Sequence, residues 1–161
     1  MTARVPVYDT GMLIALADRK AKAARLHAAM GEAQHRAVVP GPVLAQVWRP
    51  SPATVHALAS ALKGCTVPQA RGSEPAMRPT EVGQTACITC ATGPDLADWQ
   101  RIGVALGKAE LPPRKRPDAV DALVALSAVR HGSAVVFTSD PGDIEAYLQV
   151  MNAHDVHIVP I

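Results

Sequence analysis

Five aspartates stand where carboxylates can do chemistry. Asp9 directly follows the apolar run Val5-Pro6-Val7-Tyr8, Asp118 and Asp121 open an apolar helical pattern, and Asp140 and Asp143 follow the β-rich run Ser133–Phe137. In an open parallel sheet the carboxyl ends of the strands share one edge with the starts of the adjoining helices, and ligands bind there. On such an edge Asp9 and Asp140 become neighbours despite lying 131 positions apart. Two carboxylates about 5 Å apart repel by roughly 3 kcal/mol at an effective dielectric of about 20. A group of them therefore calls for a divalent cation, and an all-oxygen ligand set suits Mg²⁺ or Mn²⁺ rather than zinc. Such a site serves phosphodiester hydrolysis by activating water, steadying the oxyanion and assisting the leaving oxygen. Aspartate is also a common helix cap, and Asp118-x-x-Asp121 and Asp140-x-x-Asp143 each resemble a capping box with Asp in place of Glu. The clustering of the five, not any one of them, points to catalysis.

The elements that must position these groups alternate along the chain. Residues 5–8 read as a strand, followed by a helical apolar run through Met12, Leu13, Ile14 and Leu16. Lys20–Gly31 is Ala-rich with spaced charges and favours helix, and Ala37–Val39 is a short strand. Pro40 and Pro42 suit the first turn of a helix through Val43, Leu44, Val47 and Trp48. A helix over Ala53–Leu62 and a short strand at Cys65–Val67 follow, then helices at Asp95–Gly107 and Asp118–Arg130. The strand Ser133–Phe137, a helix through Val150 and a last strand at Val156–Val159 close the chain. Strands separated by helices and too apolar to be half-exposed predict an α/β fold, three α/β/α layers around a central parallel sheet. At 161 residues, 1–161 is expected to be a single domain, with residues 69–93 as an atypical long loop or insertion.

Composition excludes several classes. With 48% apolar and 19% charged residues the chain can fill a core and is not a charge-driven disordered polymer. Aromatics make up only 3%, too few for the stacking platforms of single-strand-binding modules. A net charge of +2 permits a nucleic-acid partner without requiring one. No apolar run approaches the roughly 18 residues of a membrane span. The start resembles a signal peptide, but Asp9 interrupts it and no small-residue cleavage site precedes Asp18, so it reads as folded protein. There is no GxGxxG or GxxxxGK[ST] loop.

Three cysteines, Cys65, Cys87 and Cys90, make no disulfide framework and fit a reducing, cytoplasmic setting. Cys87-x-x-Cys90 lacks the second ligand pair of a structural zinc site and reads as incidental. The six histidines have no metal spacing, and His154 and His157 are expected to face solvent. The basic run Arg114-Lys115-Arg116, with Lys108, can guide a phosphate backbone by charge or serve as a solvated linker. Arg49 and Arg4 are weaker candidates of the same kind.

Four segments together resemble the PIN domain, the small metal-dependent nuclease fold of VapC-type toxins. They are Val7–Ile14, Val39–Arg49, Asp118–Ala122 and Val136–Asp143, in that order. The resemblance implies a Mg²⁺- or Mn²⁺-dependent endoribonuclease, frequent homodimerisation and, for a toxin, an antitoxin that blocks the pocket with a basic side chain. It also implies roles: Asp9, Asp121 and Asp140 match the family's first, third and fourth acidic positions, with Asp118 and Asp143 as nearby metal helpers. Thr10 and Ser139 would hold water or phosphate through their hydroxyls. Gln46 departs from the pattern by standing where a glutamate is usual; an amide brings no charge and cannot act as a base. A binding module on the same scaffold with weakened catalysis is the main alternative. An acidic-pocket phosphatase is a second, disfavoured by the lack of an Asp-x-Asp pair after the first strand.

Overall fold

A computed structural model describes residues 4–69 and 88–161. Its elements run β1 (Val5–Tyr8), α1 (Thr10–Ala17), α2 (Ala21–Glu32), β2 (Ala37–Val38), α3 (Gly41–Val47), α4 (Pro52–Leu62) and β3 (Cys65–Thr66). The chain continues with α5 (Ile88–Ala91), α6 (Leu96–Lys108), α7 (Ala119–His131), β4 (Ala134–Thr138), α8 (Pro141–Val150) and β5 (Val156–Pro160). The five strands form one all-parallel sheet in the order β3-β2-β1-β4-β5.

The order fixes the place of the site. From β1 the chain steps outward through β2 to β3, then crosses back to β4 and steps the other way to β5. The direction reverses between β1 and β4, and the crevice beyond the carboxyl ends at such a reversal is where open parallel sheets bind ligands. Register pairs Val7 with Val136 and Tyr8 with Phe137, so the next residues along, Asp9 and Thr138, emerge side by side.

Both strands at the reversal are buried, as expected of apolar runs covered on two faces. Helices α1–α4 contact one another as one group and α6–α8 as another, an arrangement compatible with three α/β/α layers. Helix α7 is buried from Ala122 through Ala128, since it lies against β1, β4, α6 and α8 at once. Its polar member in that run, Ser127, donates its hydroxyl to the Leu123 carbonyl at 2.8 Å. Gly132 ends α7 with a φ of 73°, the left-handed region where a side chain is strained.

Two expectations about local structure change. The stretch 69–93 is not loop throughout: α5 lies within it, and Gln69 forms a parallel bridge with Thr92. Residues 70–87 lie outside those described, and Cys87 with them. Neither suspected capping box forms. The Asp118 side chain accepts from the Val120 amide instead, and Asp140 makes no side-chain cap. The true box is at α6, where Asp95 and Asp98 each accept the other's backbone N–H.

Candidate active site at the sheet reversal

Asp9 is buried at the end of β1, where its extended backbone starts α1. One carboxylate oxygen accepts from the Thr10 amide at 2.6 Å, and the other accepts from the Thr138 hydroxyl at 2.6 Å. The Thr138 oxygen in turn accepts from the Asp140 amide at 2.9 Å. Thr138 is fully buried, so this hydroxyl joins the first strand's carboxylate to the turn after β4. Sequence reading missed it: a threonine ending a strand looks like β propensity until the register brings it beside Asp9.

The close approach of α1 to the β4–α8 turn depends on Gly11. A Cβ there would sit 2.3 Å from the Ser139 hydroxyl and 2.8 Å from the Ser139 backbone nitrogen. The second contact is with main chain and cannot be relieved by turning a side chain.

Asp118 and Asp121 arrive from the other side, on the first turn of α7. The Asp118 amide donates to the Tyr147 hydroxyl at 2.9 Å, tying α7 to α8. Asp143, on the first turn of α8, is buried. Asp140 is exposed at the mouth. Between these last two lies Lys115, its Nζ 2.6 Å from Asp140 Oδ1 and 3.0 Å from Asp143 Oδ2. The residue read as a phosphate guide thus points at carboxylates.

The electrostatics record how near the five charges lie. Burial first, then the charges of Asp9, Asp118, Asp143 and Asp140, push Asp121 up to about 7. Burial also raises Asp9, and the hydrogen bonds from Thr138 and Thr10 only partly offset this, with Asp140 and Asp118 adding repulsion. Asp140 goes the opposite way, held below the usual carboxylate range chiefly by its hydrogen bond from Lys115. The same contacts, with Asp140 first and Asp143 second, raise the Lys115 ammonium above the ordinary lysine range.

The carboxylates therefore share one field, but their oxygens do not converge. Among the described residues no three histidine, cysteine or acidic side chains are grouped so as to hold a metal ion. Two of the five carboxylates are drawn onto Lys115, while Asp9 and Asp118 accept from backbone amides.

Of the remaining candidates, two hydroxyls contact site residues directly. Thr10 donates its hydroxyl to the Gln46 carbonyl oxygen at 2.6 Å, which brings α3 to the start of α1. Ser139 donates to Asp140 Oδ2 at 3.1 Å. Arg49 turns to the Trp48 carbonyl at 3.0 Å. Arg114 and Arg116 are exposed beside Lys115. Elsewhere, His154 and His157 face solvent, as expected. Burial pushes the Cys65 thiol up to about 12, so it is no thiolate. Cys90 is buried, with its sulfur 3.8 Å from His131 Nε2.

Among the described residues no helix is long and apolar enough to cross a membrane. Comparison with known protein families, curated proteins and solved structures finds no match to this chain.

Proposed function

We propose that this chain is a PIN-like, metal-dependent endoribonuclease that hydrolyses RNA phosphodiesters. One observation supports the reading above the others. Five aspartates from three separate segments lie within one another's field at the sheet reversal, where burial first and that field second raise Asp121 to about 7. A fold with no use for that charge would be more stable without it.

The donor type is the one a hard divalent cation takes, since every candidate metal ligand is a carboxylate, although in the metal-free chain Lys115 neutralises two of them and the five are not gathered around one point. Asp9, Asp121 and Asp140 would hold Mg²⁺ or Mn²⁺, with Asp118 and Asp143 as helpers. When bound, the ion supplies Lewis-acid stabilisation of the phosphorane oxyanion and a more acidic water. The chain's own groups do the rest. Asp121, raised to about 7 in the metal-free chain, would give up its proton to solvent when the ion binds. Thr138 fixes the Asp9 carboxylate while its oxygen holds the Asp140 amide. The exposed guanidiniums of Arg114 and Arg116 draw in the phosphate backbone. Single-stranded or loop RNA suits in-line attack better than duplex, because the backbone must flex. The toxin role, an antitoxin partner and a homodimer belong to the same proposal.

The alternative, an RNA- or protein-binding module with weakened catalysis, is favoured by two contacts. Gln46 brings no charge and its carbonyl is taken by Thr10, and Lys115 is paired with Asp140 and Asp143. Cleavage of RNA in Mg²⁺ or Mn²⁺ by the natural chain and by Asp9→Asn decides between them. Activity abolished by Asp9→Asn supports the nuclease, whereas equal background cleavage by both leaves the binding module.

A further inference from the structure

We infer that the cavity between α1, α2 and α4 binds a small organic anion, an oxyanion head on a compact apolar body, held by Arg19, His27, His56 and Ser60. This site is separate from the acidic corner and does not rest on the nuclease reading.

The cavity has a volume of about 360 Å³, within the range of small-molecule sites. Helix α1 carries the chain away from Asp9 at its start, and the cavity lies at its other end, lined by Leu16 and Arg19. Helices α2 and α4 supply the other walls: alanines make the apolar surface, and His27, His56 and Ser60 the polar one. None of the five aspartates lines it, nor does Asp18, the cap residue beside Arg19. Every ionisable group of the lining is therefore basic, the opposite of the acidic corner. Among the described residues no three histidine, cysteine or acidic side chains are grouped to hold a metal ion, so the two histidines do not make a metal site.

Tyr8 fixes what His27 offers. The tyrosine is fully buried, and among the described residues the one hydrogen-bond partner of its hydroxyl is His27 Nδ1, at 3.0 Å. A buried O–H left without an acceptor is costly, so the phenol donates and Nδ1 accepts. Burial acts in the same direction, pushing the phenol above its ordinary range and the imidazole below its own. The ring proton of neutral His27 then sits on Nε2. Among the described residues no buried side-chain nitrogen or oxygen lacks a partner; Nε2 has none, so it opens into the cavity that His27 lines. Gly64 leaves that edge of the ring clear, since a Cβ there would lie 3.5 Å from Nε2.

Arg19 is equally uncommitted. The last carbonyls of α1 are taken by the backbone N–H groups of Asp18, Arg19 and Lys20, so the exposed guanidinium has no capping role. A guanidinium, an imidazole N–H and a hydroxyl, with no carboxylate among them to receive their protons, are the donors that recognise a phosphate or a carboxylate. The surface of Leu16 and the alanines takes the apolar body that carries it.

The test is an amide NMR titration of the full chain with phenyl phosphate, benzoate, inorganic phosphate and phenol. Phenyl phosphate or benzoate is expected to give saturable shifts at Arg19, His27 and Ser60, and the tighter of the two identifies the head group. Inorganic phosphate lacks the body and phenol lacks the head, so each binds about tenfold more weakly, equivalent to 1.4 kcal/mol. Arg19→Gln weakens the organic anion by a similar factor. Ala28→Leu, at an exposed helical position that lines the cavity, fills it and abolishes binding. No saturable shift with either organic anion, shifts unaltered by either variant, or equal binding of inorganic phosphate or phenol overturns the inference. Imidazole nitrogen NMR that finds the His27 proton on Nδ1 in the free chain overturns it as well. Neither substitution touches the acidic corner, so RNA cleavage by these variants reports on the nuclease reading separately.

Discussion

Replacing Asp121 by asparagine should stabilise the metal-free protein increasingly as pH rises from the usual carboxylate range to about 7, and by the full amount above it. Folding carries Asp121 from the usual carboxylate range up to about 7, mainly by burial and then by the charges of Asp9, Asp118, Asp143 and Asp140. Between those two values the folded state therefore holds a proton that the unfolded chain has released. Stability from this group is complete below the unfolded value and is lost as pH rises through about 7. A shift of this size is worth at most about 4 kcal/mol. The Asp121 side chain is only partly buried, so screening reduces the expected effect to roughly 1–2 kcal/mol. Asp121→Asn removes the penalty without changing shape. Thermal and urea denaturation in the presence of a chelator should find the variant more stable by that amount at pH 8.5, about 3–6 °C in Tm, and level with the parent at pH 4. Equal effects at the two pH values, or destabilisation at both, would refute the claim that the five aspartates share one field.

Saturating Mn²⁺ should reverse the order. The parent gains about 2.7 kcal/mol at a hundredfold excess over Kd while Asp121→Asn and Asp9→Asn gain little, as melting in metal and in chelator would reveal. Thr138→Val should cost about 1–3 kcal/mol, more at pH 8 than at pH 4, because it leaves Asp9 without its buried donor; Thr138→Ser should restore most of the loss. Gly11→Ala should destabilise by about 1–3 kcal/mol and shift the backbone amide resonances around Ser139, with little recovery on adding Ser139→Ala, since the main-chain clash persists. Tyr147→Phe should cost about 1 kcal/mol by removing the acceptor for the Asp118 amide, a loss that chemical denaturation can measure.

The local record in the sequence is strong where short-range chemistry decides. The apolar run before Asp9 and the run from Ser133 to Phe137 both form strands, and the proline-led start at Pro141 opens a helix. Aspartates before or within the first helical turn stay there, since that position is fixed by their own neighbours in the chain. The Asp-x-x-Asp spacing that resembles a capping box occurs at three helix starts, but only at Asp95 do both side chains turn back, while Asp118 caps α7 alone. At the other two starts competing partners take the side chains: Val120 for Asp118, and Lys115 for Asp140 and Asp143. The basic run Arg114–Arg116 was legible as charge, but not as a charge facing inward, which depends on the turn closed at Pro112.

What the residues alone determined is the alternation of buried strands and helices, with aspartates after the first strand and at the starts of the helices on either side of Ala134–Thr138. Those preferences are set by each residue's immediate neighbours: apolar spacing, proline geometry and the orphan amides of a helix start. Tertiary structure alone decided that the sheet reverses between β1 and β4, that Thr138 bridges Asp9 to Asp140, and that Lys115 rather than solvent meets the acidic corner. The physical reason is range. Coulomb energy, burial and close contact depend on separation in space, and chain packing sets that separation for groups as remote in sequence as Asp9 and Asp140.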